Sequence, residues 1–249
     1  MAVKGIEKFT EYFKKYEDCY TIIGGAACDI LMSSAKLDFR ATKDIDMIVL
    51  FEDKFEDFAK EFWNFIMEGH YKCGWRNDTE LHFYRFTDPD EGFPSQIELF
   101  SRKPDYHLQS GGTIIPMHID NDTSSLSAIM LSDDFYYFML QGREIVAGLP
   151  LLKPSYLIVF KMYAWVNLMY QKTEGKQIDS KEIRKHKNDV FRLWQLVSKN
   201  ERVTLHGEPR EAVIDFLRMV VVEDVRTEDI GIETSAAEII DRLHTLYQV

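Results

Sequence analysis

Tyr20-Thr21-Ile22-Ile23-Gly24-Gly25-Ala26-Ala27, followed by Arg40-Ala41-Thr42-Lys43-Asp44-Ile45-Asp46-Met47-Ile48-Val49-Leu50, carries the pattern from which the fold follows. Tyr20–Ile23 reads as a short buried strand, Gly24-Gly25 ends it, and residues 26–35 read as a helix. Glycines at that junction let the backbone turn sharply and approach a ligand. The N–H groups opening the next helix favour a phosphate. An ordinary strand–turn–helix would leave the same trace. Asp44–Leu50 reads as a second strand. Residues two apart on a strand share a face, so Asp44 and Asp46 project one way and Ile45 and Met47 project into the core. Two acids at the head of an apolar strand are costly unless solvent or a cation meets them. Oxygen-only ligands suit Mg²⁺ or Mn²⁺.

Glu98 is a third lone acid, set between Ile97 and Leu99 in the apolar run Gln96-Ile97-Glu98-Leu99-Phe100. A neighbouring strand would bring it beside Asp44 and Asp46; Glu80 and Asp105 compete for that place. Around these strands the periodicity predicts helices over residues 4–18 and 54–68, and further strands over 71–76, 79–87 and 95–100. After Pro154 the pattern turns helical, over residues 155–171, 179–198, 208–220 and 235–247. The expected organisation is α+β, with a mixed α/β domain over residues 1–150 and a helical domain over 151–249.

Lys161 lies in Tyr156–Tyr170, a stretch apolar on nearly every face, as in a buried helix. A buried ammonium needs a counter-anion or loses its proton. A triphosphate would supply one; the other reading is a lysine that snorkels outward or pairs with a structural acid. Helical spacing puts Lys185 and Asp189 on one face. That pair reads either as surface charge or as a phosphate contact with an orienting acid.

The order Gly-Gly, Asp-x-Asp, then a single acid on a later strand resembles the DNA polymerase β-type nucleotidyltransferase superfamily. Arg40-Ala41-Thr42-Lys43-Asp44-Ile45-Asp46 and Gly24-Gly25-Ala26-Ala27 are similar to the Arg-x-(Ser/Thr)-x-Asp-x-Asp and Gly-Gly-x-Ala segments of its AbiE-type (AbiEii/AbiGii toxin) members. Pro154…Lys161-Met162-Tyr163-Ala164 and Ile183–Val190 resemble later motifs of that family. The resemblance implies a polymerase β-like nucleotidyltransferase domain with a mixed sheet, and a C-terminal helical bundle closing the nucleotide cleft. It implies an enzyme that uses Mg²⁺ or Mn²⁺ and moves an NMP group from an NTP to an acceptor hydroxyl on RNA or protein. Asp44, Asp46 and Glu98 would be the catalytic metal ligands. Gly24, Gly25, Arg40, Thr42, Lys161, Lys185 and Asp189 would face the nucleotide. An antitoxin protein would be a partner. An antibiotic-modifying transferase with a small-molecule acceptor and a nucleotide-binding module without turnover are the alternatives.

Composition bounds these readings. The 249 residues are 45% apolar, enough for a buried core. The net charge of −11 argues against a non-specific binder of nucleic acid or anionic membrane. The excess is uneven: residues 172–187 hold six basic and three acidic residues, residues 208–242 four basic and ten acidic. Cys19, Cys28 and Cys73 form neither a disulfide framework nor a zinc pattern. No signal core opens the chain and no stretch is long and apolar enough for a membrane span. The expected location is the cytoplasm.

Overall fold

The structure is a computed structural model that describes residues 3–50, 54–73, 84–100, 107–110, 113–116 and 132–249. The chain divides into two compact units, one of residues 1–123 with 143–152, the other of residues 124–142 with 153–249. The division is therefore not a single cut near residue 150: helix α4 (Asp133–Gly142) belongs to the second unit, and the hairpin after it returns to the first.

The first unit is built on a mixed sheet. Its described strands are β1 (Tyr20–Ile23), β2 (Asp44–Val49), β3 (Lys72–Cys73), β4 (Tyr84–Thr87), β5 (Gln96–Phe100), β8 (Arg143–Val146) and β9 (Leu149–Leu152). They run in the order β3-β4-β5-β2-β1-β9-β8, with β6 (His107–Ser110) and β7 (Thr113–Pro116) forming a separate hairpin. β2 pairs antiparallel with β1 and parallel with β5. Period-two alternation in β2 buries Ile45 while Asp44 stays exposed, and Met47 to Val49 are buried throughout.

Helices α1 (Ile6–Phe13) and α3 (Phe55–Glu68) supply an aromatic layer under the Ile45 face of the sheet. Phe13 lies 4.6 Å from Phe9 and 5.6 Å from Phe58, ring centre to ring centre. Phe58 stacks on Tyr20 of β1, and Phe62 and Trp63 meet Phe86 of β4 edge-on. The α1 helix is shorter than its periodicity predicts, because the chain turns into a single 3-10 turn at Glu17–Cys19 before β1. Helix α2 (Gly24–Ser34) is buried from Gly24 to Met32. Of the predicted strands 71–76 and 79–87, the described residues show Lys72–Cys73 (β3) and Tyr84–Thr87 (β4); residues 74–83, and with them Glu80, lie outside the described residues, as does Asp105.

The β8–β9 hairpin and α4 are elements that sequence periodicity did not predict. The hairpin turns through Ala147 and Gly148, both at positive φ (53° and 77°), the geometry of a two-residue turn whose twist suits antiparallel strands. Arg143 ties it to β1, donating from Nε to Thr21 Oγ1 at 2.8 Å and from Nη2 to the Glu17 and Tyr20 carbonyls.

The second unit is helical: α4, α5 (Pro154–Thr173), α6 (Ser180–Trp194), α7 (Gly207–Val220) and α8 (Ala236–Tyr247). Pro154 opens α5 at a first-turn position where its missing N–H costs nothing. From Leu157 to Met162 every side chain of α5 is buried, as expected of a helix without a polar face. Asp179 caps α6 by accepting from Lys181 N–H, and Ser235 caps α8 by accepting from Glu238 N–H. Asp134 of α4 accepts from Glu208 N–H at the start of α7.

Candidate functional site

The site residues of the first unit meet at one end of the sheet because of strand direction. β1 ends where antiparallel β2 begins, so Ile23 stands opposite Asp46 and Gly24 follows directly. The backbone at Gly24 has φ +67°, and a methyl group placed there would come within 1.9 Å of Asp46 Oδ2. Only glycine combines that conformation with that approach. A methyl group at Gly25 would lie 2.7 Å from Thr42 Oγ1 and 3.5 Å from Arg40 Nη2. Gly24, Gly25, Arg40, Thr42 and Asp46 are thus one local cluster.

The parallel pairing of β2 with β5 adds the third acid. The register sets Asp44 opposite Gln96 and Asp46 opposite Glu98. Registered neighbours on adjacent strands point to the same face about 4.8 Å apart, so the Asp46 and Glu98 side chains rise together. β4 extends the row, with Arg85 opposite Glu98. Arg85 Nε sits 2.6 Å from Glu98 Oε1. Gln96 Nε2 donates to the same oxygen at 2.8 Å. Arg85 and Gln96 were not among the residues marked by sequence. The available signal was Arg85 alternating against the core residue Phe86, but which acid it meets depends on strand order.

The donor set suits a hard divalent cation in kind, being oxygen only. Asp44 and Asp46, two apart on one strand, present such oxygens. Glu98 is held by Arg85 and Gln96, and among the described residues no group of three His, Cys, Asp or Glu side chains is placed to hold a metal ion.

Lys161, Lys185 and Asp189 lie in the second unit. Lys161 Nζ pairs with Asp189 Oδ2 at 3.0 Å, both side chains almost wholly buried. Arg192 adds a longer contact to Asp189, at 3.8 Å. The counter-anion of the buried ammonium is therefore a carboxylate of the same unit, the structural-acid reading of Lys161. Lys185 pairs with Glu182 at 2.8 Å in a partly exposed contact one helical turn away.

No protein-family model matches the chain, and no curated protein matches it. Among solved structures it is similar to an antigenic nucleotidyltransferase-like protein from Paracoccidioides brasiliensis, at 12% identity over 99% of each chain and a TM-score of 0.51. It is also similar to the antibiotic-resistance factor ANT(2'')-Ia, at 12% identity over 76% of this chain and 86% of that one, with a TM-score of 0.34. The first likeness is one of fold: the chain has a polymerase β-like, mixed α/β nucleotidyltransferase fold.

Proposed function

We propose that the chain is a nucleotidyltransferase that moves an NMP group from an NTP to an acceptor hydroxyl. The observation that carries this reading is the parallel register that sets Glu98 beside Asp46 while Gly24 packs against the Asp46 carboxylate. Such a corner offers what the reaction needs in one place: backbone N–H groups for phosphate, and carboxylates beside the reacting phosphorus.

In this reading Gly24 and Gly25 give the triphosphate close access to the backbone, and Arg40 and Thr42 bind its oxygens. Arg40 is the cation of that pair and Thr42 the neutral donor. Asp44, Asp46 and Glu98 would hold Mg²⁺ or Mn²⁺, which when bound neutralises charge on the transferring phosphoryl group. Glu98 would also take the acceptor's proton. Most of the rate would come from positioning and charge compensation. Lys161 and Lys185 would contact phosphate in this reading, with Asp189 orienting Lys161 through their buried ion pair.

The acceptor classes are RNA, protein or a small molecule. A toxin role with an antitoxin partner rests on the AbiE-type motifs at residues 24–27 and 40–46. A drug-modifying role is the second reading, favoured by the net charge of −11, which suits a cationic acceptor. The test is incubation with each α-labelled NTP, Mg²⁺ and separate pools of cellular RNA, protein and aminoglycosides. Label should transfer to one pool, and Asp44→Ala or Asp46→Ala should abolish transfer with an unchanged melting curve. Equal transfer by those variants, or no pyrophosphate release with any NTP, overturns the reading.

A further inference from the structure

We propose that Arg85 is a built-in counter-cation that competes with a divalent metal ion for Glu98, so that full use of the three acids requires the Arg85–Glu98 pair to open. This rests on the metal-dependent reading given above.

Three observations carry it. Arg85, Glu98 and Asp46 occupy one registered row across β4, β5 and β2, on the same face. The Arg85 guanidinium is in direct contact with the Glu98 carboxylate at 2.6 Å, and Gln96 fixes the same oxygen. The exposures are unequal: the Glu98 side chain is 11% exposed and that of Arg85 50%. Glu98 is thus anchored in the sheet, whereas Arg85 is long, half in water and able to swing aside.

A fixed positive charge beside a cation site opposes the incoming ion and occupies a ligand it would use. The same charge offsets repulsion between the registered Asp46 and Glu98 carboxylates, since like charges on neighbouring strands are destabilising. Arg85 therefore stabilises the metal-free corner and weakens metal binding by the same contact. A triphosphate would shift this balance, since its oxygens offer the guanidinium a competing partner.

The test is Mn²⁺ titration of the full chain followed by electron paramagnetic resonance, which reads free ion and needs no turnover. Arg85→Gln should bind Mn²⁺ about tenfold more tightly than wild type, and Arg85→Lys should not. Adding Glu98→Gln to Arg85→Gln should remove the gain, because the released ligand is gone. Arg85→Met serves as a second neutral variant, with melting curves verifying that each protein is folded. Binding by Arg85→Gln and Arg85→Met that is equal to or weaker than wild type overturns the proposal. So does a gain that survives in the double variant, since it would reflect bulk charge and not Glu98. Mn²⁺ binding that Asp46→Asn abolishes but Arg85→Gln leaves unchanged defeats this inference alone. Absence of Mn²⁺ binding in every variant defeats the metal-dependent reading with it.

Discussion

At Gly24 two independent constraints coincide: a φ of +67°, and an Asp46 carboxylate oxygen where a side chain would begin. Gly24→Ala should therefore cost about 1–3 kcal/mol in backbone strain and should also displace Asp46. Urea denaturation measures the first effect. Loss of nucleotidyl transfer beyond the stability loss, at a temperature where the variant is folded, measures the second. The double glycine was legible as a turn because glycine is the residue that tolerates such dihedrals. That its partner is Asp46, across the β1–β2 pairing, was not legible, because pairing joins residues far apart in sequence. Arg85 shows the same limit from the other side: its alternation with Phe86 is local, and its meeting with Glu98 is not.

Helix α5 is decided at the scale of the element. Its apolar surface on nearly every side made burial of the helix readable, whereas Lys161 could equally have snorkelled outward; the structure buries it. The partner came from α6, where Asp189 lies on the inward face with Val190 and Leu193. Removing one member of a buried pair leaves the other charge uncompensated. Asp189→Leu or Lys161→Met alone should each cost about 3–5 kcal/mol, and the two combined should recover much of it. Chemical denaturation of the two single variants and the double variant measures this; additive losses would show the pair is not coupled. Helix α1 is a second case. Phe13 touches rings from α1, α3 and β1, so Phe13→Ala should cost about 3–5 kcal/mol, read by the same titration. Its helical stripe was legible; the 3-10 turn that cuts the helix short was not, since it is set by where β1 must start.

For the molecule as a whole, the charge of −11 predicts no retention on a polyanion column at about 0.15 M salt, where surface electrostatics are already screened. Retention there would mean that residues 172–187 act as a binding surface. Helices after Pro154, strands around Asp44 and Glu98, and the shared face of Asp44 and Asp46 were determined by the sequence alone, because each follows from a local period of 3.6 or 2. The tertiary structure alone decided that α4 joins the helical unit while β8 and β9 return to the sheet. It also decided that β5 runs parallel to β2 with Glu98 beside Asp46, that Arg85 holds Glu98, and that Lys161 answers Asp189. The physical reason is that register and strand order are fixed by burying apolar faces against distant elements. A slip of one residue would turn every side chain of a strand to the opposite face, and no local pattern records which distant strand prevents it.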